Sequence, residues 1–155
     1  MSYTMQGIVG DAEVLAAAPA AFATGALRLP QGKALVLFTE RVREQYGVSF
    51  LPLTDDNERE LPQSIRDICA RVSQAGKIAY IEAELFGGLG TQATAVWENG
   101  ALVQPPIVSR HAINEGLRAL GVRATAAQDE FEALKLGMHR DIEDWAANAG
   151  FPYRR

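Results

Sequence analysis

The sequence predicts an α+β fold, a mainly antiparallel sheet centred on a three-strand meander over residues 77–104, with helices packed on one side. Three observations predict it. Residues 77–86 (KIAYIEAELF) alternate so that Ala79, Ile81, Ala83 and Leu85 share one strand face and Ile78, Tyr80, Glu82 and Glu84 the other. The glycine-bearing loop 87–90 and the Asn99-Gly100 dipeptide, a strong hairpin signal, then set off two further strands over 91–98 and 101–104. Finally, Ile65, Ile68, Cys69 and Val72 recur at spacings of three and four, which makes one apolar stripe on a helix.

Taken in order, residues 5–9 form a short strand, and Asp11 is placed to cap a helix over 12–18 that stops at Pro19. The Ala-, Gly- and Pro-rich stretch 18–32 reads as a connector. Residues 33–38 (KALVLF) are almost unbroken in apolar character, as in a strand covered on both faces. Thr39 suits an N-cap for a helix over 40–46, with Gly47 as its left-handed terminator. Residues 48–53 have strand composition, but Pro52 cannot donate to a ladder and places them at a sheet edge or outside it. Pro62 opens the helix carrying the apolar stripe, and Gly76 ends it. Pro105-Pro106 is expected to end the third meander strand. Ser109 is expected to cap a helix reaching Leu120, followed by helices over 128–136 and 141–148, the last capped by Asp141 and holding Trp145 in the core.

A chain of 155 residues with 48% hydrophobic content suits one domain spanning 1–155. No run approaches the roughly 20 apolar residues that cross a bilayer, so no membrane association is expected. The N-terminal stretch lacks a basic start and apolar core, which predicts a cytoplasmic protein. The single Cys69 cannot form an internal disulfide, and on its helical stripe it reads as a small buried hydrophobe. A net charge of −4 with scattered Lys and Arg argues against nucleic acid as a partner and is compatible with a basic protein partner.

The segments that could carry chemistry each have a plainer reading. The loop FGGLGTQ, with Gly87, Gly88 and Gly90, offers bare amides to an anion, but phosphate loops are followed by a helix and here a strand follows. The glycines are better explained by a positive-φ connection or a close approach of backbone. Glu82 and Glu84 lie two apart on one strand face, roughly 7 Å from each other by strand geometry. Paired carboxylates serve acid/base work or hold metals, and they also form the wet side of a half-covered sheet. The acidic run 54–60 (TDDNERE) lacks the glycine and distal glutamate of a calcium loop and reads as solvated. His139, Arg140 and Asp141 spell the HRD of a kinase catalytic loop without its downstream Asn, and the histidines 111 and 139 have no metal-ligand spacing. Trp97 beside the hairpin turn is either an interface anchor or core, a choice the sequence leaves open.

The stretch IEAELFGGLGTQATAVWENG, with the later LGMHRDIEDW, resembles a group of small bacterial proteins of unassigned function. In size and acidity the chain is similar to immunity proteins that neutralise polymorphic toxins. The resemblance covers roughly the C-terminal half and brings no catalytic residue with it.

These readings lead to a protein-binding domain, of immunity or regulatory type, whose acidic face takes a basic partner. Its expected binding residues are Glu82, Glu84, Gly87, Gly88, Gly90, Trp97, His139 and Arg140. No catalytic residue, metal or cofactor is predicted. The rival reading is a small enzyme or ligand-binding protein whose pocket gathers Glu82, Glu84, His111 and His139 from separate segments. A third is a homo-oligomer with Trp97 at its seam.

Overall fold

A computed structural model describes residues 2–23, 25–86 and 89–148. Its centre is a six-stranded antiparallel sheet in the order β2-β3-β1-β4-β5-β6. The strands are β1 (Ser2–Asp11), β2 (Leu27–Arg28), β3 (Lys33–Leu37), β4 (Lys77–Phe86), β5 (Leu89–Glu98) and β6 (Ala101–Ser109). The fold is therefore α+β and antiparallel, with β4, β5 and β6 as the expected meander. Asn99 and Gly100, at φ 51° and 86°, make the tight turn between β5 and β6.

The first strand is longer and more central than its sequence suggests. It runs ten residues and pairs with β3 on one side and with β4 on the other, from Ser2↔Phe86 to Gly10↔Ile78.

Helices cover both faces of the sheet, and not one face as expected. On the first face lie α1 (Ala12–Ala16), α2 (Ala20–Ala23) and α4 (Gln63–Val72). Val14, Leu15, Phe22, Ile65, Ile68 and Cys69 pack there against Ile8, Val36, Ile78, Tyr80 and Trp97. On the second face, α5 (Ala112–Ala119), the short α6 (Glu130–Ala133) and α7 (Ile142–Asn148) place Ile113, Leu117, Phe131, Ile142 and Trp145 in one layer with Met5, Val9, Ala79, Ile81 and Val96. The reason is visible in β4, where both alternating sets, Ile78/Tyr80 and Ala79/Ile81/Ala83, are apolar and fully buried. A single covering layer would leave one of these sets in water. Cys69 and Trp145 sit in the core as expected.

Three local expectations change. Pro105 and Pro106 do not end β6, which runs on to Ser109. β6 is an edge strand, and a register shift next to Val96↔Gln104 lets the two prolines bulge where no ladder donor is needed. Ser109 consequently belongs to the strand, and α5 begins three residues later with His111 in the capping position. Asp11 makes no side-chain cap to α1; its carboxylate pairs with Lys33 at 2.8 Å. Thr39 does cap α3 (Glu40–Tyr46), accepting from the Val42 amide, and Asp141 accepts from the Asp144 amide at the start of α7.

Candidate functional site

Between α3 and α4, residues 47–62 contain neither helix nor strand. Irregular segments of this length inside a packed domain are usually functional. This one is anchored at both ends: Val48, Leu51, Leu53 and Leu61 are buried, while 55–60 are exposed. It lies on the first face of the sheet, over the two glutamates of β4.

Glu82 holds the loop from beneath. Its side chain is fully buried. One carboxylate oxygen accepts from the Leu53 amide (3.1 Å), the Thr54 amide (2.9 Å) and the Thr54 hydroxyl (3.0 Å). The other accepts from the Tyr80 hydroxyl at 2.6 Å, with the Leu53 amide at 3.3 Å. Gln6 of β1 then donates to the Tyr80 oxygen and to the Ser49 carbonyl, both at 3.0 Å. A buried network of β1, β4 and the loop results, built around one carboxylate that only accepts.

Burial raises the proton affinity of Glu82, and the donors from Tyr80, Thr54 and Leu53 offset this only in part. Burial likewise pushes the Tyr80 hydroxyl well up, reinforced by the adjacent Glu82 charge. A carboxyl whose proton affinity is higher folded than unfolded contributes stability that is full at pH below its unfolded pKa and is lost as pH rises through its folded pKa. Tyr80 and Glu84 are the titratable neighbours of Glu82 on β4, and burial together with Asp55, Asp56 and Glu82 pushes Glu84 the same way. Chemical unfolding at about pH 5.5 and 7.5 should therefore show Glu82→Gln losing less stability on going to the higher pH than the parent chain does. An equal or larger loss in the variant would refute the assignment.

Glu84, two residues on, is half-buried at the rim of the same loop. Its carboxyl is pushed up by burial first, then by a side-chain hydrogen bond shared with Asp55, and then by Asp55, Asp56 and Glu82 as negative neighbours. Among the described residues, no Lys or Arg lies within ion-pair distance of Asp55, Asp56 or Glu84. An exposed acidic surface therefore exists on this face, but its members are Asp55, Asp56 and Glu84, with Glu82 locked below them. The expectation that Glu82 faces a partner is corrected by its burial.

The remaining expected residues separate. Gly87 and Gly88 lie outside the described residues. Gly90 pairs with Leu85, and a Cβ there would come within 2.6 Å of the Leu85 backbone, so its lack of a side chain serves strand pairing. Trp97 is 3% exposed and belongs to the first core, which makes it core and not an interface anchor. His139 packs edge-on against Trp145 at 4.8 Å in the second layer, and the Arg140 carbonyl accepts from the Thr4 amide. His111 leads into α5, which covers that same second face. The sheet thus stands between His139 and the two glutamates, and the four-residue pocket is not assembled.

Sequence reasoning reads Thr54, Asp55 and Asp56 as part of a solvated loop and passes over Gln6. The acidic run at 54–60 is a usable signal for Asp55 and Asp56; nothing local marks Thr54 or Gln6 as partners of a strand 28 or more residues away. Among the described residues, no group of three or more His, Cys, Asp or Glu side chains could hold a metal ion, and no helix is long and apolar enough to cross a membrane. Comparisons with protein-family models, curated proteins and solved structures find no match to this chain.

Proposed function

We propose that this chain is a protein-binding domain of immunity or regulatory type, and that it engages a basic segment of its partner through Asp55, Asp56 and Glu84. The observation that carries the reading is the crowding of these three carboxylates, close enough for Asp55 and Asp56 to raise the proton affinity of Glu84, with no cation paired to them among the described residues. Mutual repulsion of this kind is relieved when a Lys or Arg from another molecule arrives, so part of the binding energy is stored in the free surface. Glu82 supports the site by fixing the loop backbone at Leu53 and Thr54, immediately before Asp55.

The test is capture of a partner from the native host's lysate by the parent chain and by the triple variant Asp55→Lys, Asp56→Lys, Glu84→Lys. One stoichiometric protein should co-purify with the parent, weaken as salt is raised, and be lost in the variant while its circular dichroism stays unchanged. A partner retained at full strength by the charge-reversed surface, or the absence of any partner, would overturn the proposal.

A further inference from the structure

Between the end of the 47–62 loop and β6 lies a cleft of about 260 Å³. We propose that it binds a small organic anion built on one flat apolar ring, an aromatic carboxylate. This is a second site, independent of the protein-binding surface.

The walls divide by chemistry. Trp97, Leu61, Leu102, Pro105 and Pro106 supply an apolar interior. The two successive prolines have fixed φ and no backbone N–H, so this stretch of the edge strand offers a rigid surface without donors. The register shift beside Val96↔Gln104 falls directly before this stretch. Hydrogen-bonding capacity is instead concentrated in Arg59 and Arg66, which also line the cleft. Both are exposed, and neither has an ion-pair or side-chain hydrogen-bond partner among the described residues. Glu60 is the single carboxylate at the cleft, leaving it net positive by one in a chain whose overall charge is −4.

This division selects the ligand. A guanidinium is planar and weakly hydrated, binds a carboxylate through two parallel N–H donors, and also lies against aromatic rings. An apolar interior beneath two such groups suits a molecule with its ring inward and its charge at the rim. Size narrows the choice further. Pockets for drug-sized ligands run from about 300 to 1,000 Å³, so a cleft below that range takes a single ring rather than a nucleotide or a fused polycycle.

Phenylacetate is the probe, phenylacetamide its neutral counterpart, and tryptophan emission the readout. Phenylacetate should change the emission saturably, with a Kd in the millimolar range usual for a ligand of about ten heavy atoms. Phenylacetamide, and phenylacetate with the Arg59→Ala/Arg66→Ala variant, should each bind about tenfold or more weakly. Both arginines are exposed, so their loss leaves the core intact. The emission change should vanish in Trp97→Phe, which retains only Trp145. No saturable change up to about 20 mM phenylacetate, a limit several-fold above a millimolar Kd, would overturn the proposal. So would equal binding of the amide, equal binding by the double variant, or a full signal in Trp97→Phe.

Discussion

Replacing Glu82 by Ala is expected to lower the stability of the fold by about 3 kcal/mol or more. Removing the carboxylate leaves the Leu53 and Thr54 amides, the Thr54 hydroxyl and the Tyr80 hydroxyl without their acceptor, and an orphaned buried donor costs on the order of 1–3 kcal/mol. Water entering the space would recover part of that sum, which is why the expectation stays below the simple total. In a chain of this length the melting temperature should fall by roughly 10 °C. Glu84→Ala provides the contrast: its side chain is at the rim, where a hydrogen bond shared with Asp55 is set against the repulsion of three like charges, so its loss should fall within about 0.5 kcal/mol of zero. Equilibrium unfolding measures both, and hydrogen exchange at the Leu53 and Thr54 amides localises the effect. If Glu82→Ala costs less than about 1 kcal/mol and those amides stay protected, the loop is held by its buried leucines and not by the carboxylate.

The same pair of glutamates shows what was legible in the sequence. Their shared face followed from strand alternation, and the structure keeps it. Burial did not follow, because it is decided by a segment 28 residues earlier that has no periodicity of its own. A glutamate on a strand looks like a solvent-facing residue unless a loop brings amides down to it. The meander was legible for a related reason: β4, β5 and β6 each pair with the next strand in sequence, and the Asn99-Gly100 turn sets the register where the β5–β6 pairing begins. The insertion of β1 between β3 and β4 depends on pairings up to 84 residues apart, such as Ser2↔Phe86, for which the sequence carries no local signal. The second covering layer was partly legible, since both faces of β4 are apolar through Ile81. The prolines of β6 misled because proline excludes a central strand only, and whether a strand is central is a property of the assembled sheet.

Gly116→Ala is the second change expected to have a large effect, and its sign separates local propensity from packing. Gly116 lies within α5, where helix propensity alone favours Ala by about 1 kcal/mol. Packing opposes it. A Cβ at this position would run into the Thr94 hydroxyl oxygen and come within 3.1 Å of the Thr94 Cβ. Thr94 cannot swing aside freely, because it is fully buried and its hydroxyl donates to the Tyr80 carbonyl at 2.9 Å. Overpacking of a filled core costs typically about 1–3 kcal/mol, and a contact this close to the Thr94 oxygen belongs at the upper end, so after the propensity gain of about 1 kcal/mol the net change should be a loss of about 2 kcal/mol. The companion variant Thr94→Ala gives up one hydrogen bond, worth about 1 kcal/mol, but opens the space the new methyl needs. In that background Gly116→Ala should become neutral or stabilising, with a coupling between the two sites of about 2 kcal/mol in a double-mutant cycle. Additive losses would instead mean that α5 shifts off the sheet as a unit. Because β5 carries Thr94 under α5 and Trp97 in the opposite layer, such a shift would also register in the emission of Trp97, on the face where the partner and the anion are proposed to bind.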